Sequence, residues 1–318
     1  MRRYIFGCAL ALISCAALLL WFPEASEGVR RGLSVCGDVI IPSLFPFFVL
    51  GAAIMELGLP QRLSRRLSPA MSKLFGAPGA GASALVMGLM GGYPLGAATA
   101  AGLAERGVIS RAECRRLLGF CNNSGPAFLI GAAGVGVFGS VRAGAVLYFC
   151  HILAALSSGI VLRDRGEPAA SPALAVPDVE PGALARAVTS SVKNILNVCG
   201  FVVIFSALTS ALEASGVLPR LAGELAERLG LELGAARALT TGFFEIGGGI
   251  SALRSCSPTR MNFAVAALII GWGGLSVHMQ TAAATAGVRP GAAQHTAGRL
   301  LNAVFSAAYA FALYPLAF

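Results

Sequence analysis

Residues 118–126 read Leu-Gly-Phe-Cys-Asn-Asn-Ser-Gly-Pro and lie between two apolar stretches of the chain. Proline lacks a backbone donor and disfavours helix at the residue before it, so a helix that enters this stretch is expected to unwind. Inside a membrane, unwound backbone is tolerated only where protein or a solvated cavity satisfies its polar groups. Many secondary transporters build solute sites from such broken helices. The stretch therefore predicts a helix break at a binding site; an ordinary polar loop between two short spans is the alternative.

The composition places this break in a membrane protein. Of the 318 residues, 56% are hydrophobic and only 12% are charged, whereas soluble proteins carry about 25% charged residues. Apolar runs of roughly 20 residues, the length that crosses hydrocarbon, recur along the chain. We therefore predict an all-α polytopic membrane protein. Its net charge of +9 is assigned to loop arginines that set the orientation in the bilayer, not to nucleic-acid binding.

Four segments describe the predicted organisation of the chain. Residues 1–32 are expected to form an N-terminal transmembrane helix, retained rather than cleaved as a signal peptide, and an interfacial segment. Residues 33–162 and 183–318 are expected to form two gate-like repeats, joined by a polar, proline-rich linker at 163–182. Each repeat should contain long spans, an amphipathic helix, one re-entrant hairpin and one broken helix.

Glycine-rich interruptions mark the two hairpins. Residues 80–104 are apolar except at 91–94, Gly-Gly-Tyr-Pro, and arginines flank both ends, so by the positive-inside rule the segment returns to the side it left. Residues 238–249 repeat this pattern, and residues 270–278 repeat the glycine and serine spacing of 118–126. Such matches in the same order indicate a duplication. Each repeat then crosses the membrane an odd number of times, so the halves are expected to be inverted relative to each other.

Longer motifs in both halves resemble a known family. Gly-Gly-Tyr-Pro-Leu-Gly at 91–96 and Phe-Cys-Asn-Asn-Ser-Gly-Pro at 120–126 are similar to the YlbJ family of sporulation integral membrane proteins, also called stage V sporulation protein V. Gly-Phe-Phe-Glu-Ile at 242–246 and Gly-Gly-Leu-Ser-Val-His-Met-Gln at 273–280 resemble its second half. The resemblance implies nucleoside-recognition (gate) domains, similar in plan to concentrative nucleoside transporters. It also implies passage of dipicolinic acid across the outer forespore membrane of a spore-forming bacterium.

The candidate solute-binding residues lie at the breaks and on one face of the span that begins near residue 184. They are Gly92, Tyr93, Pro94, Asn122, Asn123, Ser124, Lys193, Asn197, Glu245, Gly274, Ser276, His278 and Gln280. The amides and hydroxyls supply neutral donors, and the half-helices after each break point their positive ends toward the centre. Lys193 adds a cation on the same face as Asn197. With aromatic cover from Tyr93 or Trp272, this set fits a small aromatic dicarboxylate; a neutral nucleoside is the rival.

Other interpretations of these residues stay open. An ionised Glu245 is expensive in hydrocarbon, so it is either functional or part of a structural ion pair. Its candidate partners are Lys193, Arg254 and Arg260. His278 is either a proton relay or a hydrogen-bonding packing residue. Tyr93 either stacks on the solute or marks an interface, and Lys193 either attracts a carboxylate or snorkels.

Two other function classes have less support. An intramembrane hydrolase would use Ser276, His278 and Glu245, but the chain has only three histidines and neither an HExxH nor a GxSxG motif. A non-transporting assembly protein of the spore envelope would have no obvious use for doubled polar breaks. We therefore expect no enzyme, no cofactor and no metal site. The expected partners are a small anionic solute and the lipid bilayer, not nucleic acid, and a homo-oligomer is compatible with the sequence.

Overall fold

Helices make up the regular structure of the part of the chain that the computed structural model describes, residues 2–57, 59–163 and 181–318. No strand occurs within these residues. Among the described helices, four stretches are long and apolar enough to cross a membrane: Phe22–Ile54, Val141–Val161, Ala183–Ala214 and Arg260–Ala284. The predicted all-α polytopic class is therefore confirmed. Most of the predicted linker at 163–182 lies outside the described residues.

The N-terminal region consists of long helices that run through the predicted boundary at residue 32. The helix α1 spans Arg2–Leu20, and α2, Phe22–Val35, continues through a π-helical turn into α3, Ile41–Glu56. Instead of a separate interfacial segment, α2 packs on α10, Ala183–Ala214. A Cβ on Gly32 would lie only 2.9 Å from the Val203 Cα atom. The amphipathic pattern of this stretch therefore reflects a small-residue face that lets two helices approach closely.

The rest of the first half contains the expected hairpin and broken helix. Its elements are α4 (Leu59–Phe75), α5 (Gly81–Gly91), α6 (Leu95–Glu105), α7 (Arg111–Leu117), a π-helical segment (Ala127–Val135), α8 (Gly136–Phe138) and α9 (Val141–Val161). The helices α5 and α6 fold back on each other, so that a Cβ on Gly88 would lie 3.2 Å from the Gly96 Cα atom. Ser110 starts α7 with a capping box shared with Glu113. Residues 118–125 are irregular, so the helix breaks within the predicted stretch.

The second half repeats this order of elements. They are α10, α11 (Val217–Leu229), α12 (Leu233–Phe244), α13 (Ile246–Ala252), α14 (Arg260–Trp272), α15 (Gly274–Ala284) and α16 (Ala293–Leu313). A long helix is again followed by an amphipathic helix, a helix pair interrupted at Glu245, a helix interrupted at Gly273 and a last long helix. The order of elements agrees with a duplication, and the inverted orientation of the halves stays a prediction.

Small residues bring the last helix against the centre of the bundle. A Cβ on Gly271 of α14 would overlap the backbone of Ala303 on α16. A Cβ on Gly298 of α16 would likewise overlap the carbonyl group of Gly119, at the start of the first break. Membrane helices gain no hydrophobic driving force from each other, so close backbone packing of this kind stabilises their association. The helix α16 is thereby held beside the broken helices of both halves.

Candidate functional site

The helix breaks meet in two pairs inside the bundle. In the first half, a Cβ on Gly125 would lie 3.1 Å from the Gly92 backbone nitrogen. In the second half, a Cβ on Gly274 would lie 3.0 Å from the Phe244 carbonyl oxygen and 3.2 Å from the Glu245 nitrogen. Gly92 and Gly274 have φ angles of +81° and +79°, which glycine adopts without steric cost. In each half, these glycines let the unwound backbone of the hairpin touch that of the broken helix.

A buried arginine joins the first pair of breaks to the second half. Arg299 on α16 is only 3% exposed, and its Nη1 donates to the Tyr93 hydroxyl oxygen at 3.1 Å and to the Asn122 carbonyl oxygen. Its guanidinium lies over the Tyr93 ring, 5.5 Å from the centroid. The Tyr93 hydroxyl donates in turn to the Ile270 carbonyl oxygen of α14 at 3.0 Å. Tyr93 is therefore a link between the hairpin, α14 and α16. It is followed by Pro94, to which it is joined by a cis peptide bond.

Asn122 connects the first break to the facing hairpin and to α15. Its Oδ1 accepts a hydrogen bond from the Ala97 backbone N–H of α6 at 3.4 Å, and its Nδ2 donates to the Thr281 hydroxyl at 2.8 Å. The same hydroxyl lies 3.4 Å from the Nε2 atom of His295 on α16. Asn122 is 1% exposed, so its side chain is committed to protein partners. Through the Ala97 N–H, this side chain ties the first break to the facing hairpin.

Asn123 and Ser124 are buried in the same break. The Asn123 Nδ2 donates to the Phe120 carbonyl oxygen at 2.8 Å, whereas its Oδ1 has no hydrogen-bond partner. The Ser124 backbone N–H donates to the Nε2 atom of His151 on α9 at 3.0 Å. His151 therefore satisfies a backbone donor that the break has freed, as membrane-buried irregular backbone requires.

Glu245 caps the helix that follows it. Its two carboxylate oxygens accept hydrogen bonds from the backbone N–H groups of Gly247 at 2.8 Å and Gly248 at 2.6 Å, and the residue is 6% exposed. Of its candidate ion-pair partners, Arg254 donates to a backbone carbonyl and Arg260 lies over aromatic rings. A helix cap thus stands in place of the structural ion pair that was one of the two alternatives for Glu245, and a functional role for this residue stays a prediction. Because this carboxylate already neutralises the positive end of α13, that helix end is not free for a solute anion, contrary to the expectation for every half-helix.

The polar residues of α15 bond to each other and to the second break. The Gln280 Nε2 donates to the Ser276 hydroxyl at 3.1 Å, and both side chains are buried. The His278 Nδ1 donates to the Gly274 carbonyl oxygen at 3.0 Å. The Trp272 ring lies 4.3 Å from the His278 ring, centroid to centroid. These contacts agree with a packing role for His278, and a proton-relay role is not tested by them.

The three residues named for a hydrolase are not arranged as a catalytic triad. Ser276 bonds to Gln280, His278 to a backbone carbonyl and Glu245 to backbone N–H groups. Within the described residues, no group of three or more His, Cys, Asp or Glu side chains is placed to hold a metal ion. The absence of enzymatic activity, of a cofactor and of a metal stays a prediction.

Lys193 and Asn197 do not join the other candidates. Both are exposed on α10, while Ile195 and Val198 on its buried face pack in a cluster with Phe48 of α3. The sequence correctly placed the cation and the amide on one face of the helix. That face points away from the breaks, so Lys193 is not the cation beside them.

The cation beside the breaks is Arg299, which the sequence analysis left without a role. Polar residues recur with helical spacing along the otherwise apolar α16, at His295, Arg299, Asn302 and Ser306, and all four are buried. Such a stripe marks one face of a helix. An intramembrane ionisable residue on such a face is a functional candidate, so this signal was available in the sequence.

Two cavities reach the breaks. The larger, of about 890 Å³, lies between the halves and touches Ala127 and Phe128 just after the first break and Gly247 and Gly248 just after the second hairpin break. Its charged wall residues are Arg31, Asp38, Glu213, Glu245 and Arg254. The smaller, of about 270 Å³, is lined by His278, Thr281 and His295 among others. The bundle therefore has room for a small molecule next to residues of both breaks.

Comparison with known proteins agrees with this architecture. A family model described as Gate, nucleoside recognition, matches residues 39–141, which include the first hairpin and the first break. The chain is 30% identical over 325 aligned positions to the sporulation integral membrane protein YlbJ of Bacillus subtilis (strain 168), with 94% of this chain and 80% of the relative covered. No solved structure matches. Together with the membrane-spanning helices and paired breaks, the similarity shows that the chain belongs to the YlbJ family of sporulation integral membrane proteins.

Proposed function

We propose that this protein is a membrane carrier that moves a small anionic aromatic solute, dipicolinic acid, across the outer forespore membrane during sporulation. A transporter-like role in a membrane is supported by the family and by the match to a nucleoside-recognition gate model. The observation that carries the proposal is the meeting of the helix breaks in two pairs, with backbone in contact in each pair. The solute and the particular membrane are proposed beyond this support.

The paired breaks favour a carrier over a protein that only assembles the spore envelope. Each unsatisfied backbone group in an apolar interior is costly, so a purely structural bundle is expected to keep its helices continuous. Here the breaks persist and are satisfied by dedicated partners, among them His151 for the Ser124 N–H and Asn122 for the Ala97 N–H. Carriers use such breaks because two half-helices can rock apart and expose a central site alternately to the two sides.

An anionic, flat solute suits the groups that the second break leaves available. The helix α15 begins at Gly274 without a side-chain cap, so its first N–H groups and its positive end stay available to a negative charge. The rings of Trp272 and His278, 4.3 Å apart, lie next to this helix start. Aromatic side chains favour stacked or edge-on contact with a second ring. A small aromatic carboxylate would use both features.

Uptake by the purified protein in liposomes tests the proposal. Radiolabelled dipicolinate should accumulate in vesicles that contain the protein, and unlabelled dipicolinate but not uridine should compete. Protein-free vesicles of the same lipid provide the background. In a spore-forming host, spores made without the protein should lack dipicolinate although the mother cell still synthesises it.

A nucleoside carrier is the second candidate, because the matching family model is described by nucleoside recognition. Uridine uptake without dipicolinate uptake in the same vesicles would refute the anion assignment but would still support a carrier function. Normal dipicolinate in spores that lack the protein would refute the proposed physiological role.

A further inference from the structure

We propose that Arg299 binds the carboxylate of the transported anion, through its Nε and Nη2 nitrogens. The inference rests on the proposed anion-carrier function and names the side chain that recognises the solute's charge. Arg299 is 3% exposed, and only its Nη1 is used in hydrogen bonds, to the Tyr93 hydroxyl and the Asn122 carbonyl. The buried Nε and Nη2 have no hydrogen-bond partner.

The two free nitrogens have the geometry that a carboxylate needs. Nε and Nη2 lie side by side on one edge of the planar guanidinium, and Nη1 lies on the other side. A carboxylate accepts two parallel N–H bonds from such an edge, which makes bidentate arginine–carboxylate pairs both strong and specific in geometry. Tyr93 and Asn122 bond only Nη1 and leave this edge without a hydrogen-bond partner.

The charge of Arg299 also lacks a partner from the protein. The salt bridges among the described side chains involve other residues, all of them partly exposed. The contacts of Arg299 are with neutral groups, namely the Tyr93 ring and hydroxyl and the Asn122 carbonyl. Burial of a cation is costly, and in membrane proteins such residues mark solute pathways. The anion that is carried would supply the counter-charge.

The surroundings hold the guanidinium in place, and a cavity lies one helical turn away along α16. The Tyr93 ring lies under the guanidinium plane, and its hydroxyl is hydrogen-bonded to the Ile270 carbonyl. The Nε–Nη2 edge is therefore oriented before any anion arrives. Helical side chains lean toward the helix N-terminus, so Arg299 leans toward His295, one turn earlier on α16. His295 lines the cavity of about 270 Å³. We assign this cavity as the approach to Arg299.

An anion at Arg299 would act on both halves of the protein. The same guanidinium bonds the carbonyl of Asn122 at the first break and Tyr93 at the first hairpin, while its own helix packs on α14 through Gly271 and Ala303. A carboxylate that binds Arg299 therefore competes with the contacts of Arg299 to Asn122 and Tyr93, which hold the first break and the first hairpin together. Binding and rearrangement of the halves are coupled through one side chain.

The test compares charged and uncharged ligands of the same shape. Binding of dipicolinate and of its neutral diamide, pyridine-2,6-dicarboxamide, is measured by calorimetry with purified wild-type, Arg299→Gln, Arg299→Lys and Arg228→Gln proteins. Arg228 is the matched control because its guanidinium is exposed on α11 and pairs with Glu224 at the surface. Arg299→Gln should weaken dipicolinate binding about 10- to 100-fold and leave the diamide nearly unchanged. Arg299→Lys keeps the positive charge but lacks the two parallel N–H donors, so its dipicolinate affinity should lie between those of the wild type and Arg299→Gln. The dipicolinate affinity of Arg228→Gln should match that of the wild type.

The outcomes separate this inference from the proposed function. Unchanged dipicolinate affinity in both Arg299 variants, or an equal loss for dipicolinate and the diamide, would show that Arg299 is a structural clamp and would overturn the inference alone. A wild-type protein that neither binds nor transports dipicolinate would overturn the proposed function as well. If Arg299→Gln does not fold, Arg299→Lys decides through the ratio of its affinity for dipicolinate to its affinity for the diamide. A ratio below that of the wild type supports the inference, and a ratio equal to that of the wild type overturns it.

Discussion

Replacing Tyr93 by phenylalanine removes a single oxygen from the contact that joins the first hairpin to the second half. The ring keeps its volume, so no cavity forms and the cation–π contact with Arg299 persists. The hydroxyl makes two hydrogen bonds, one to the Ile270 carbonyl at 3.0 Å and one from the Arg299 Nη1 at 3.1 Å. Both partners are buried, and the second bond carries a charge.

The expected loss follows from these two bonds. Hydrogen bonds between membrane helices contribute on average about 0.6 and at most about 1.7 kcal/mol, and bonds to charged groups lie at the upper end of such ranges. Tyr93→Phe should therefore destabilise the protein by about 1 to 3 kcal/mol. Tyr148→Phe is a matched control, since the Tyr148 hydroxyl makes one neutral bond, to the Leu89 carbonyl at 3.0 Å. That change should cost about 0.6 kcal/mol.

Reversible unfolding in mixed detergent micelles, followed by circular dichroism, measures both variants against the wild type. In an Arg299→Gln background, Tyr93→Phe should lose only the bond to Ile270, so the double mutant should be less destabilised than the sum of the single changes. Equal losses for Tyr93→Phe and Tyr148→Phe, together with strict additivity in the double mutant, would refute the claim that the Tyr93 hydroxyl and Arg299 link the first hairpin to the second half.

Four further predictions concern flux, stability and topology. Asn123→Ala should abolish dipicolinate flux in liposomes while the abundance of the protein in the membrane stays near normal. Abundance should be kept because the side chain makes one local hydrogen bond and its Oδ1 has none; reduced abundance would indicate a structural role. Glu245→Ala should lower thermal stability by about 1 to 2 kcal/mol, as loss of a helix cap does, with Glu245→Gln intermediate; a wild-type melting curve for the alanine variant would contradict the cap. Single cysteines at Ser110 and Ser257, both exposed, should react with an impermeant reagent from opposite faces if the halves are inverted, and same-side labelling would exclude inversion. Lys193→Gln should transport dipicolinate at close to the wild-type rate because Lys193 is exposed away from the breaks. A partial loss of the transport rate would show that the exposed face of α10 takes part in solute binding.

The positions of the breaks could be predicted from the sequence because glycine and proline act locally. Gly92 needs no partner to reach its φ of +81°, and Pro94 and Pro126 cannot donate to a continuing helix wherever they lie in the fold. Apolar runs long enough to cross a bilayer could be predicted in the same way, because the bilayer sets a minimum length. The first hairpin turn and the first break were therefore predicted close to their observed positions.

The partners across the breaks could not be predicted in this way. In lipid the outside of a helix is as apolar as its packed face, so hydrophobic periodicity does not show which side of α10 is buried or which of its two predicted roles Lys193 takes. The Tyr93–Arg299 contact joins residues 206 positions apart, and it forms because small residues, Gly271 and Gly298, bring α16 against α14 and the first break. Local chain chemistry determined by itself where the helices stop. Which side chains meet there depends on how whole helices pack, and only the tertiary structure decided that.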